Sequence, residues 1–172
     1  MKLRFATLAA TAVMTLASCA SAITYEEWKA KVDAADSHQY KTAVVNGEYK
    51  MKVAGQETNI TLKDVGFSYD GDGWTSNHAD ASKVEDFVGI TAKQFAAASI
   101  DEESLNSFKF YSDLSIEFDY ALETSGYKSE FKGALKFDKY TFVKDYKMET
   151  NVTAGSEEVA YIFLSFSVDY SD

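Results

Sequence analysis

The stretch Tyr69-Asp70-Gly71-Asp72-Gly73-Trp74 sets two carboxylates two residues apart, as calcium loops do. With Gly73 at the sixth loop position, Asp70 and Asp72 take the third and fifth. The first then falls to Ser68, and the twelfth, which should be a bidentate Glu, to Ala79. Two ligands fail and aromatics flank the motif, so a hairpin turn with glycine at positive φ is expected instead. His38 and His78 stand forty residues apart, without the short spacing that aims two imidazoles at one zinc. The nucleophile elbow Gly-x-Ser-x-Gly, the phosphate loop and the dinucleotide fingerprint do not occur. Glu117, Asp119 and Glu130 could supply the paired carboxylates of glycoside hydrolysis. Each alternates with apolar residues, which is what the wet face of a sheet requires. No catalytic residue, metal ligand or cofactor is assigned, and the chain is read as non-catalytic.

Cys19 is the one remaining reactive group, and no other cysteine exists to pair with it. It follows a short basic start (Lys2, Arg4) and an uncharged run from Phe5 to Ala17. That run fits the apolar core of a signal peptide and is too short to span a bilayer as a helix. Two cut sites are legible. Ala20-Ser21-Ala22 has the small-x-small pattern that would release a soluble protein beginning at Ile23. Leu16-Ala17-Ser18-Cys19 resembles the lipobox of bacterial lipoproteins. That resemblance implies cleavage between Ser18 and Cys19, a diacylglyceryl group on the Cys19 thiol, and often a third acyl chain on its amine. Lipidation also consumes a thiol that would otherwise be open to oxidation outside the cell. The expected organisation is a signal peptide over 1–18, a lipidated cysteine and tether over 19–23, and one domain over 24–172. The implied location is a cell or outer membrane, reached through the anchor. One acyl chain binds marginally, and two or three bind stably.

Cleavage before Cys19 removes 18 of the 172 residues and leaves 154, a natural size for one domain. The mature chain keeps 15 basic against 27 acidic residues, a formal charge of −12. Such a body repels phosphate backbones and anionic headgroups, so nucleic acid is excluded as a partner class. Aromatic residues make up 15% of the chain, which argues against disorder. There is no proline, so turns fall to Gly, Asn, Asp and Ser.

The elements follow from periodicity. Thr24-x-x-Glu27 is a capping box with Ile23 and Trp28 at staple positions, and Trp28, Val32 and Ala35 continue one stripe, predicting a helix over 25–36. From Tyr40 the period is two, with Asn46-Gly47 and Ala54-Gly55 as punctuation. The alternation of Thr58, Ile60 and Leu62 slips by one at Asp64, to Val65, Phe67 and Tyr69, predicting a bulge. Ser82-x-x-Glu85 and Thr91-x-x-Gln94 predict two short helices, 83–88 and 92–99, and residues 101–104 read as an acidic loop. Beyond Ser107 a four-strand meander is expected, its last strand central in the sheet.

The expected fold is therefore α+β: a curved, half-barrel-like antiparallel sheet of six to eight strands, carrying an N-terminal helix and a central helical pair. In element order this is similar to the LolA- and LppX-like lipoproteins, and that similarity implies an acyl ligand held between sheet and helices. Tyr111, Tyr120, Tyr127, Tyr140, Tyr146, Tyr161 and Tyr170 exceed ordinary core needs and suit either a pocket rim or cross-strand pairing. The expected function is a membrane-anchored lipoprotein that binds an apolar or amphipathic small molecule or a protein partner. The alternative is a structural or interaction lipoprotein with a solid core. No ligand-binding residue is assigned.

Overall fold

The computed structural model describes residues 20–98 and 102–172. The expected signal peptide over 1–18, Cys19, and residues 99–101, which hold the end of the expected 92–99 helix and the start of the expected acidic loop, lie outside the described residues. Among the described residues nine strands form one open antiparallel sheet: β1 (Ala22–Ile23), β2 (Thr42–Val53), β3 (Gln56–Tyr69), β4 (Trp74–Thr75), β5 (Phe108–Tyr111), β6 (Ile116–Thr124), β7 (Tyr127–Phe137), β8 (Val143–Ala154) and β9 (Glu157–Ser171). Their order across the sheet is β1-β5-β6-β7-β8-β9-β2-β3-β4. The last strand thus lies inside the sheet, joining the β5–β9 meander to the β2–β3 hairpin through a register running from Thr42↔Ser171 to Val53↔Ala160.

The α+β class and the curved antiparallel sheet agree with the sequence pattern, but the strand count is nine rather than six to eight. The surplus is in short edge strands: two-residue β1 and β4 have no period to read, and β5 has four residues and makes the meander five strands long. The helical layer also differs. α1 is Tyr25–Ala34, and its capping box forms: the Thr24 hydroxyl accepts from Glu27 N–H at 3.2 Å and the Glu27 carboxylate accepts from Thr24 N–H at 2.9 Å. Of the expected pair, only the second is an α-helix, α2 (Ala92–Ala97), capped reciprocally by Thr91 and Gln94. The first is two 3₁₀ turns, Ala81–Lys83 and Glu85–Phe87. Val84 at φ −136° interrupts the spiral, and no side chain caps either turn. In place of the acidic loop, α3 covers Glu102–Leu105.

The turns follow the local chemistry. Ala54-Gly55 and Ser125-Gly126 each carry positive φ at both residues, closing two-residue hairpins between Val53 and Gln56 and between Thr124 and Tyr127. The slip at Asp64 is a real bulge. Val45 pairs Val65 while Gly47 pairs Leu62, and Asp64, at φ +50°, donates its N–H to the Asn46 side chain at 2.9 Å. Asn46-Gly47 is therefore no turn. It sits inside β2 opposite the bulge, where a Cβ on Gly47 would collide with the β9 backbone at Ser165 and Phe166.

Helices cover one end of one sheet face. Trp28 and Val32 of α1, Val84 and Val88 of the 3₁₀ segment, and Ala92 and Ala96 of α2 pack on Val45, Val65, Ile116, Phe166 and Val168. Trp28 is fully buried, donates its indole N–H to Leu114 O at 2.9 Å, and contacts the rings of Phe95, Phe110 and Phe137. The hairpin turns of β2–β3, β6–β7 and β8–β9 lie at the other end of the sheet.

Candidate functional site

The register of six adjacent strands assigns every side chain to a face. Side chains alternate along each strand, and direct partners share a face. On the helix-covered face one row reads Leu62, Gly47, Phe166, Tyr146, Leu135 and Ile116. Stepping toward the hairpin turns, the next reads Ile60, Tyr49, Leu164, Met148, Gly133 and Phe118. Then come Thr58, Met51, Ile162, Thr150, Phe131 and Tyr120, and last Gln56, Val53, Ala160, Val152, Ser129 and Leu122. None of these side chains is charged.

The opposite face is wet. Its rows carry Glu48, Lys147 and Glu117, then Lys50, Glu149, Lys132 and Asp119, then Glu57, Lys52 and Glu130. Ion pairs run across it: Lys132 to Asp119 at 3.2 Å, Lys128 to Glu130 at 2.6 Å, Lys52 to Glu158 at 3.1 Å. Phe163 is buried there because the Lys50 and Lys147 ammonium groups lie over its ring, at 5.2 and 5.5 Å. Glu117, Asp119 and Glu130 thus belong to a solvated charge lattice.

The apolar face outruns its helical cover. The row through Phe166 and Ile116 is closed over by helices, with Phe87 against Tyr146 at 4.6 Å and Phe166 at 5.9 Å. Two rows further on, Met51, Ile162, Phe131 and Tyr120 are only half-buried. In the last row Val53 is 44% and Leu122 56% exposed. The result is an open apolar trough between the helical layer and the hairpin turns. Its walls are sulfur and rings: Tyr49 and Tyr146 donate their hydroxyls to Met51 and Met148 sulfur, each at 3.2 Å, and Tyr120 stacks on Phe131 at 4.8 Å. The Phe118 ring lies over Gly133, where a Cβ would displace it. Burial pushes the Tyr120 and Tyr146 hydroxyl pKa values up. In the trough floor Thr150 is 5% exposed, and its hydroxyl has no hydrogen-bond partner. By contrast, the space between sheet and helices is filled by Trp28, Val32, Val84 and Ala92, all at zero exposure. The part of the acyl space implied by the family resemblance that lies around these residues is therefore filled by side chains, and further apolar surface lies open beside the helices. A separate surface groove of about 300 Å³ follows β1 and β5, lined by Ile23, Tyr25, Leu105, Phe108 and Phe110 among others.

The residues singled out for chemistry scatter. Asp70 is used by its own turn: its carboxylate accepts from Asp72 and Gly73 N–H at 3.0 Å each, and those two bonds hold its pKa below the usual range. His38 meets Asp172 at 2.6 Å and stacks on Tyr140, while His78 lies 3.9 Å from Asp80. Among the described residues no three His, Cys, Asp or Glu side chains gather as a metal site. Most of the surplus tyrosines fasten the fold. Tyr170 accepts from Gly89 N–H at 3.1 Å, and burial raises its pKa to about 12. Tyr111 donates to Glu117 at 2.7 Å, and that bond with burial holds its proton to about 12. Tyr161 lies on the wet face, and Tyr127 is exposed at a hairpin turn. Of the set, Tyr120 lies in the open rows, and Tyr146, in the covered row, reaches toward them through its hydroxyl on Met148. Tyr49, Met51 and Val53 were legible as one strand face, but nothing in their spacing says that helices stop short of them. No protein family, curated protein or solved structure matches the chain.

Proposed function

We propose that this protein is an exported bacterial lipoprotein, held to a membrane by acyl chains on Cys19, whose non-catalytic domain binds an apolar or amphipathic ligand in the open trough. The observation that carries the ligand reading is the two uncharged cross-strand rows beyond the helical cover, continuous with a third, through Tyr49 and Leu164, that is partly under it. An exposed apolar patch of a few hundred Å² is the size of the largest on an ordinary monomer, and such patches are often binding surfaces. The anchor reading rests on the lipobox-like Leu16-Ala17-Ser18-Cys19. The chain enters the sheet at the helix-covered end, where Ser112 N–H donates to Ser21 O at 3.0 Å and Ser21 N–H to the Ser112 hydroxyl at 3.2 Å. An anchor two residues earlier leaves the trough at the far end, facing away from the membrane. Its ligand then comes from the aqueous side.

A second reading, a lipoprotein that docks another protein and holds no small molecule, draws on the solid packing under the helices. Two measurements separate the possibilities. Cells fed a clickable fatty acid should label the wild-type chain and not Cys19→Ala, and equal labelling removes the anchor. The purified chain should take up an apolar fluorescent dye that a fatty acid displaces, and no uptake at all leaves only the protein-docking version.

A further inference from the structure

Lys83 is the cation that reaches the trough. It closes the first 3₁₀ turn, at the border where cover ends, and its ammonium lies 5.8 Å from the centre of the Tyr49 ring. That ring opens the first partly covered row. Glu85 and Asp86 follow on the next turn with exposed side chains, and among the described residues neither forms an ion pair with Lys83. The lysines of the six strands themselves sit on the opposite face or at its margins, four of them paired to carboxylates.

Size selects the kind of occupant. Six strands about 4.8 Å apart, and two row-steps of two residues at about 3.4 Å each, give a projected area of roughly 25 by 14 Å, about 350 Å². A stable protein interface takes about 800 Å² from each partner, so this surface is too small to hold a second copy or another folded domain by itself. It suits one extended hydrocarbon chain.

Resting on the ligand reading above, we infer that the trough takes a single-chain amphiphile with an anionic headgroup, the headgroup on the Lys83 ammonium and the chain along Met51, Ile162 and Phe131. Lys83 then exchanges a weak contact with an aromatic face for a charge-assisted one at the edge of an apolar surface, where screening by water is reduced.

The test uses the full chain carrying Cys19→Ala, so that its own acyl groups do not compete, and two probes of equal length, hexadecanoate and hexadecan-1-ol. Hexadecanoate should bind at least tenfold more tightly. Lys83→Met, which keeps the apolar stem, should erase that preference and leave the alcohol's affinity within twofold. Equal binding of the two probes by the unmodified Lys83 chain overturns the headgroup assignment while sparing the trough, as does a preference that survives Lys83→Met. Binding of neither probe overturns both this inference and the ligand reading.

Discussion

Two rows of side chains, one through Phe166 and Tyr146 and one through Ile162 and Thr150, lie on the same face of the same strands, four residues apart along β9. They are alike in composition and differ in what sits on them. Over the first, Trp28, Val84 and Phe87 form a packed layer, whereas the second is open. A sheet needing only its own core would turn polar where its helices end, because exposed apolar rows invite aggregation. Here the chain keeps Met, Ile, Phe, Tyr and Leu for two rows beyond the partly covered one, while its other face remains densely charged. The covered end holds the packing, and the open end is where the proposed ligand would lie.

The sharpest way to break that division is to damage the covered end. Trp28→Ala removes a fully buried ring, its contacts with Phe95, Phe110 and Phe137, and the indole bond to Leu114. Truncations of this kind cost about 3–5 kcal/mol. Denaturant melts should show a loss of that size or outright unfolding, and a loss below about 1 kcal/mol would mean that α1 does not hold this end together.

The same division explains how much could be read from residues alone. α1, α2, the three tight hairpins and the bulge at Asp64 were legible because each is local: a capping box, a glycine at positive φ, a phase slip. Ser82-x-x-Glu85 has the letters of a capping box but yields 3₁₀ turns, since Phe87 is drawn onto Tyr146 and Phe166 from a distant part of the chain. Asn46-Gly47 looks like a turn and is not, because its environment is set by Phe166, far along the sequence. The trough was half legible. Alternation placed Tyr49, Met51, Phe131 and Tyr120 on a single-sided sheet, but where the cover stops depends on how far the 3₁₀ segment reaches, and periodicity holds no record of that.

A milder break is alkaline. Tyr170 lies at the covered end among Tyr40, Trp74 and Phe142, and burial raises its hydroxyl from the usual value near 10 to about 12. A raised folded-state value means that the fold favours the protonated phenol. The associated stability is whole below pH 10 and is lost as pH climbs toward 12, by an amount on the order of 2 kcal/mol. Thermal melts between pH 9 and 12 should show this decline, shared with the raised hydroxyls of Tyr40, Tyr111 and Tyr146, and Tyr170→Phe should make it shallower by Tyr170's part despite losing the bond from Gly89. A flat profile in the wild-type chain would place Tyr170 in contact with water, and the covered end would be less tightly sealed than its packing indicates.

The smallest effect on stability falls where the effect on binding should be largest. Leu122 is 56% exposed in the last row, so somewhat under half of its surface leaves water on folding, and Leu122→Ser should shift stability by about 1 kcal/mol or less. Serine keeps the strand and its register with Ser129 but breaks the apolar row at its outer edge. If the open rows exist for contact, dye uptake should fall severalfold while the melting curve moves little. If uptake is unchanged, the hydrocarbon does not reach β6, and the trough narrows to the strands around Met51 and Ile162. If instead the melt collapses, Leu122 belongs to the packing, and the border between the two ends has to be moved outward by a row.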